Sequence, residues 1–419
     1  IMDTALKTYS VGITVASGDN DITVTAVDRA AADVGTNLGV VTDVGSAFLQ
    51  AAQSATNDTV ADSAAEEAFA NVLNGINSFS ATADTDLALQ VAPQADAIGG
   101  SSVATRAMTG TVQGIVSNRM ASLRSGDAFV TGMSAGNGMS ANSGFIQAFG
   151  SESEQKNESS LGVTTFGFDS ETSGLAIGFD GMTDDGSTLG LSASYSTTDV
   201  DGKGTGKSKN SIDSYTVSVY ADKATENGYI EGSLTYGIND NTASRLVNSA
   251  GLSRSYSANY DSNQISLKVG GGVPQEVRDG TFVTPFMSAT ATNITSDSYT
   301  ETSTTAADAL RLKIAQDDIS SIVGTVGVRA HMISDYGTPM ISLSVNNEFG
   351  DTKISTTNTY TGGGTAFNTS TDVEELSATL GLGYSFGNDV TSLNINYEAN
   401  ANEADYLSHY GTVKIIAKF

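Results

Sequence analysis

The sequence predicts an all-β transmembrane barrel of twelve antiparallel strands over residues 143–419, preceded by an N-terminal α-helical segment that includes a helix in the pore. Three observations lead there. From residue 143 onward apolar and polar residues alternate with period two, the pattern of a strand with two unlike faces. Many of the alternating segments run about 10–13 residues, the length of a tilted bilayer-crossing strand, whereas soluble strands peak near 5–6. The connections between them are alternately tight and long, as in barrels with turns on one side of a membrane and loops on the other.

Residues 1–30 read as β structure, because Tyr9, Val11, Ile13 and Val15 alternate, Gly18-Asp19-Asn20 offers a turn, and Ile22, Val24 and Ala26 alternate again. Residues 31–104 are Ala-rich and helical in pattern. Phe69, Val72, Leu73 and Ile76 fall at helical spacing, and Ser63 with Glu66 makes a capping box. A second helix is expected over 105–125, with Met108, Val112, Ile115, Val116 and Leu123 toward one side. Residues 126–142 form a Gly/Ser/Asn linker. Strands are expected near 143–151, 172–182, 187–198, 212–222, 228–238, 263–275, 281–296, 318–331, 338–350, 373–386, 389–399 and 407–419. Their apolar sets include Leu175/Ile177/Phe179, Leu189/Leu191/Tyr195, Tyr215/Val217/Val219 and Ile341/Leu343/Val345. The long connections fall near 152–171, 199–211, 239–262, 297–317 and 351–372.

Composition excludes several classes. A formal net charge of −27 is the wrong sign for nucleic acid, which requires a basic surface; the acidity suits solvated loops. The absence of Cys removes disulfides and thiolate metal sites. The charge-free stretch Ala128 to Ser151 is Gly/Ser-rich and broken, so it is no membrane helix, and a spanning chain must then be a closed barrel. Ile1-Met2-Asp3 lacks the basic and apolar start of a signal peptide, so the sequence reads as an interior or mature fragment.

Motifs that carry chemistry elsewhere lack their context here. Gly132-Met133-Ser134-Ala135-Gly136 matches a nucleophile elbow but lies in the linker, without the strand and helix that motif needs. Gly204-Thr205-Gly206-Lys207-Ser208 resembles the end of a phosphate loop, but Asp201 stands where the first Gly belongs, so it reads as a flexible surface loop. His331 and His409 sit on different strands, and Asp184-Asp185-Gly186 is a turn without a calcium loop. No catalytic group, metal site or cofactor is expected.

The polar faces say more. With apolar residues turned to lipid, Asp180, Glu231, Arg329, Glu348, Glu398, Lys414 and Lys418 face the lumen. A helix over 105–124 spans about 30 Å, close to the hydrocarbon thickness. Arg106, Gln113, Asn118, Arg119 and Arg124 make it too polar for lipid, and Gly110 and Gly114 each cost it about 1 kcal/mol relative to Ala. A polar-lined lumen accommodates both features.

At this point the residues resemble a family. Thr172-Ser173-Gly174-Leu175-Ala176-Ile177-Gly178, Leu189-Gly190-Leu191-Ser192-Ala193-Ser194-Tyr195, Ile212-Asp213-Ser214-Tyr215, Gly270-Gly271-Gly272, Thr284-Pro285-Phe286, Asn347-Glu348-Phe349 and the terminal Phe419 resemble, in order and spacing, the autotransporter β-domain. Val116 to Arg124 resembles its pre-barrel helix. The resemblance implies a translocator of type V secretion. Such a barrel is inserted by the outer-membrane assembly machinery, which would read Val413, Ile415, Ala417 and Phe419 in the last strand. It passes its own N-terminal passenger to the cell surface, C-terminal end first, and keeps the helix in the pore. The implied partners are outer-membrane lipid and lipopolysaccharide, the assembly machinery and the passenger, with the chain a monomer.

With the passenger outside, Arg119 or Arg124 should meet Asp180 or Glu231 low in the pore, and Arg106 should lie nearer Glu348 and Glu398. Asn118 is followed by Arg119 rather than a second Asn, so the family's self-cleavage within the barrel has no support; the pair Asn346-Asn347 lies in a strand. Two other readings stand beside this one. A small-molecule porin would start at its first strand, without the helix. A surface adhesin would bind through residues 1–100, where no binding constellation is visible.

Overall fold

A computed structural model describes residues 7–16, 19–28, 90, 95–124 and 143–418, apart from 161–162, 184, 250–251, 306–307, 364–365 and 389. The helix expected around Phe69 to Ile76, the elbow-like Gly132–Gly136 segment and Phe419 lie outside the described residues.

Twelve long strands close into a barrel. They are β1 (Ser143–Gln155), β2 (Phe168–Met182), β3 (Ser187–Gly202), β4 (Lys209–Ala224), β5 (Tyr229–Ser249) and β6 (Leu252–Gly272). Then follow β7 (Thr281–Ser296), β8 (Ile319–Met332), β9 (Thr338–Glu348), β10 (Leu376–Gly387), β11 (Thr391–Asn402) and β12 (Tyr406–Lys418). Each strand pairs antiparallel with its sequence neighbours, and β12 returns to β1, from Lys418↔Ser143 to Tyr406↔Gln155. Closure leaves the long strands of the barrel wall without a free edge.

The faces are inverted relative to a soluble protein. Leu175, Ile177 and Phe179, Leu189 and Leu191, Val217 and Val219, and Ile341, Leu343 and Val345 all point outward and are exposed. The alternate positions, such as Ser192, Ser196, Ser214, Thr216, Ser218 and Thr235, point inward and are buried. Toward the long-loop rim the outward band ends in aromatics, where Tyr195 and Tyr215 oppose each other with ring centroids 5.1 Å apart. Just beyond them outward carboxylates stand directly across strands, Glu171 opposite Asp199 and Asp240 opposite Asp261. Like charges so placed repel, so this level of the wall belongs in water, and part of the chain's acidity is concentrated there.

The short-turn rim is built from tight local bonding. In the β2–β3 turn the Asp185 carboxylate accepts Lys223 Nζ at 2.8 Å and Thr183 Oγ1 at 2.6 Å. The Lys223 contact, with the turn hydroxyls, holds that carboxyl well below the usual carboxylate range.

The long-loop rim holds more β structure than the sequence expectation gave it. The 239–262 connection is no loop, because β5 and β6 continue in register as a two-stranded ribbon out to Ser249 and Leu252. Tyr256, Ala258 and Tyr260 are buried and alternate with Ser255, Ser257 and Asn259, a strand signal that the expectation of a loop passed over. The ribbon is held by the connections beside it. Tyr299–Thr300, Leu312–Gln316, Lys353–Tyr360 and Phe367–Asp372 form a separate four-stranded sheet. Between ribbon and sheet, Arg245 makes a bidentate pair with Glu301 at 2.7 and 2.8 Å, donates to the Leu310 carbonyl and lies 4.2 Å from the Tyr256 ring centroid. Tyr260 and Tyr299 stack at 4.5 Å. Burial pushes the Tyr299 and Tyr360 phenols up, so both stay neutral.

One helix, α1 (Ala95–Arg124), runs inside the barrel and leans on the wall formed by β2 to β5. Inward aromatic rings of this part of the barrel lie close over glycines of the neighbouring strand. Phe145 covers Gly178, Phe149 covers Gly174, and Tyr220 covers Gly190. Lys7–Ala16 and Asp19–Asp28 form a hairpin whose backbone register pairs Tyr9 with Ala26, Val11 with Val24 and Ile13 with Ile22.

Two substitutions separate wall from helix. A Cβ at Gly178 would sit 2.3 Å from Phe145 Cε1 and 3.0 Å from the Leu191 carbonyl. Gly178→Val should therefore lower stability by about 1–3 kcal/mol, as overpacking does. A Cβ at Gly110 meets nothing within 4 Å, so Gly110→Ala should be neutral or raise stability by up to about 1 kcal/mol. Urea unfolding in micelles reads both, and equal midpoints for the two variants would refute this account of the wall.

Candidate functional site: the helix-filled lumen

Helix α1 has 30 residues, about 45 Å at 1.5 Å per residue, enough to run from rim to rim. It starts ten residues before the expected 105, in a stretch containing Gly99-Gly100 and Ser101-Ser102 that propensity disfavours. Tertiary packing explains those residues. A Cβ at Gly100 would lie 2.7 Å from the Phe168 ring and 2.8 Å from Val200, so the upper lumen admits only a thin helix.

The N-terminal end is fixed at the long-loop rim. The Asp96 carboxylate, in the first turn, accepts the Gly204 N–H at 2.8 Å and the Ser208 hydroxyl at 2.6 Å. A carboxylate there also complements the positive end of the helix dipole. The connection read from sequence as a flexible surface loop is thus the seat of the helix start. Farther out, Gln90 accepts the Asn248 N–H on the β5–β6 ribbon at 2.6 Å, so the chain before the helix leaves at this rim.

Below, polar contacts recur along the helix. Asn210 donates to Ser101 at 2.9 Å. Arg106 pairs with Glu348 at 2.7 Å, and Glu348 is held by Ser321 and by the Ile322 and Gly350 N–H groups. Thr109 donates to Gln264, and Gln113 to Ser266 at 2.7 Å. Near the short-turn rim Arg119 makes a bidentate pair with Asp180 at 2.7 and 2.8 Å and touches Ser143 at 2.5 Å. Tyr220 and Ser143 donate to the same carboxylate. Between these contacts lies apolar packing. Ile115, Val116 and Met120 join Phe145, Phe149, Ala176, Tyr220 and Ile416 in one buried cluster.

Magnitudes assign different tasks to the two kinds of contact. Burying Ile115, Val116 and Met120 contributes about 1.5–3 kcal/mol each. A buried ion pair roughly cancels its own desolvation, but breaking it strands a charge at about 3–5 kcal/mol. Packing therefore holds the helix against the wall, and Arg106 and Arg119 fix its height and rotation.

The remaining expected residues fall as follows. Glu231 points inward and is buried, while Arg329 and Glu398 are inward and half-buried. Lys414 is inward with 1% exposure, and Asn118 lines the space beside the helix. Lys418 pairs through its backbone with Ser143; its side chain and that of Arg124 lie outside the described residues. Val413, Ile415 and Ala417 point outward, while Thr412 and Ile416 are buried inward. His331 lines the lumen, whereas His409 bonds the outward Tyr397, so the two histidines never meet. Sequence reasoning passed over Asp96, Tyr220 and Lys268. Lys268 had a signal, because it alternates with Leu267 and Val269 and so falls on the inward face.

A closed twelve-stranded barrel, outwardly apolar and inwardly polar, with a preceding helix bonded along its lumen, defines a helix-plugged transmembrane barrel. The model of the family described as the autotransporter β-domain matches residues 144–398, and the chain belongs to that family. It is an outer-membrane translocator. The fold is also that of the translocator domain of autotransporter NalP from Neisseria meningitidis, at 18% identity and TM-score 0.58, covering 78% of this chain and 100% of that one. The transport unit of AIDA-I from Escherichia coli aligns at 14% identity and TM-score 0.47, covering 73% of this chain and 98% of that one. The β-domain of the Bordetella autotransporter BrkA aligns at 17% identity and TM-score 0.44, covering 67% of this chain and 100% of that one. No curated protein sequence matches the chain.

The Arg119–Asp180 pair gives a quantitative expectation. Arg119→Met should destabilise the folded barrel by about 3–5 kcal/mol, and Arg119→Met combined with Asp180→Asn by clearly less. The heat-induced shift in gel mobility measures both. A double variant as weak as the single one would mean that the pair is not coupled.

Proposed function

We propose that the chain carries its own N-terminal segment to the cell surface through this barrel, and that α1 is the trailing end of that segment, left in the lumen. The observation that carries the reading is the direction of the helix. Its start is seated on the β3–β4 connection at the long-loop rim, and Arg119 is bonded to Asp180 beside the short β2–β3 turn. With long loops outside and short turns in the periplasm, everything before Ala95 emerges on the outer side. The outward apolar band contacts lipid, and lipopolysaccharide surrounds the rim carrying Tyr195 and Tyr215. The terminal strand, with Val413, Ile415 and Ala417 on its outward face and Phe419 next in sequence after it, is the part we assign to the assembly machinery.

The helix distinguishes this reading from a porin. A lumen lined by Ser, Thr, Asn and Gly admits small solutes when empty, and α1 occupies it. Deleting residues 1–125 should raise single-channel conductance in planar bilayers severalfold, while the full chain conducts weakly. Equal, large conductance with and without the segment would favour the porin. Trypsin added to intact cells should cut at the exposed Lys207 of the β3–β4 connection and spare the exposed Arg278 beside the β6–β7 turn. The opposite pattern would invert the topology.

A further inference from the structure

Helix α1 does not fill the lumen evenly. It leans on β2 to β5, and space remains along the opposite wall in two cavities. The larger, ≈ 690 Å³, lies toward the long-loop rim between the helix positions Arg106, Gly110 and Asn118 and the wall positions Lys268, Arg329 and Glu398. The smaller, ≈ 220 Å³, lies toward the short-turn rim and is bordered by Ala121, Ser122, His331 and Lys414. Two residues border both cavities, Asn118 on the helix and Arg329 on β8. They stand where the two cavities adjoin, the position we take as the neck between them.

The charges along this passage are not symmetric. The larger cavity carries side chains of both signs, with Lys268 and Arg329 beside Glu398, and its Arg106 is answered by Glu348. The smaller cavity has Arg329, Lys414 and His331 on its border and, among the described residues, no carboxylate. On the helix-bearing wall Asp180 is taken up by Arg119, and the inward Glu231, two residues from Tyr229 on the smaller cavity's border, is buried and has a partner of its own. Arg329 is held in place at the neck, its guanidinium 5.6 Å from the centroid of the Phe286 ring. Fixed basic groups at a constriction favour anions, as rings of Arg or Lys do in anion pores. A water in the liquid takes about 30 Å³, so even the smaller cavity has room for a hydrated ion.

We propose that the passage beside the helix is an anion-selective ion path, with selectivity set at the Arg329–Asn118 neck. This rests on the reading of α1 as a lumen helix and adds a conducting property to the exported state. It also runs against the chain's overall charge, since a net charge of −27 taken alone points to cation preference.

The test is the reversal potential of the full chain in a planar bilayer under a KCl gradient, with heat-modifiable gel mobility confirming that each variant is folded. The wild type should favour chloride over potassium. Arg329→Gln should bring the reversal potential close to zero, and Arg329→Glu should reverse its sign. Asn118→Asp, which adds one negative charge from the helix side of the neck, should shift it in the same direction as Arg329→Gln. If Arg329→Glu does not fold, Arg329→Gln and Asn118→Asp decide. A cation-selective wild type, or reversal potentials unmoved by these substitutions, overturns the proposal. So does a folded full chain that passes no current, an outcome that leaves the lumen helix and the translocator reading intact.

Discussion

A backbone in hydrocarbon has no water to bond, so each of its amides must find a partner within the protein. In this chain the β12–β1 pairing from Lys418↔Ser143 to Tyr406↔Gln155 meets that demand. Once the sheet closes, the two faces of every strand are committed to different solvents. Leu191 and Val217 point outward, and Ser192 and Ser218 point inward one residue away. Closure also creates a lumen wider than its own serines, threonines and glycines can fill. The rest of the architecture answers that second consequence.

Helix α1 answers it by being thin and polar in the right places. Its glycines and serines would weaken it in water, yet they let it approach Phe168 and Val200 closely. The flat rings of Phe145, Phe149 and Tyr220 turn one wall into a bed for Ile115, Val116 and Met120. The two arginine pairs lie at different heights and on different walls. Arg119 reaches Asp180 on β2, and Arg106 reaches Glu348 on β9. A helix tied to both sides resists turning as well as sliding. Because it leans to one side, the other side keeps a polar passage.

The long-loop rim is a folded unit in its own right. The β5–β6 ribbon and the four-stranded sheet beside it share a core containing Tyr256, Tyr260, Tyr299 and Leu312, with the Arg245–Glu301 pair buried inside. This unit meets the helix directly, since Val103 packs against Ile294, Ile319 and Ile354. The loops thus contribute to holding the start of the helix, together with the Asp96 contacts.

The twelve strands were legible in the sequence because period-two alternation is a local consequence of a wall between two solvents, and Leu393-Asn394-Ile395-Asn396 shows it without a slip. The same parity rule turned Asp180, Glu348 and Lys414 inward. The lumen helix could be read from its incompatibility with lipid. What the sequence could not determine depends on surroundings beyond the local chain. In the stretch 239–262, Tyr256, Ala258 and Tyr260 do alternate with polar neighbours, but that the segment continues β5 and β6 beyond the barrel is decided by its cross-strand partners. The helix begins at Ala95 because Gly204, Ser208 and a narrow upper lumen accept Asp96 and Gly100, and no propensity encodes that. Charge alone left Arg119 a choice between Asp180 and Glu231. The tertiary structure decided it, because the wall on which Ile115 and Met120 pack brings Asp180, Ser143 and Tyr220 to one point.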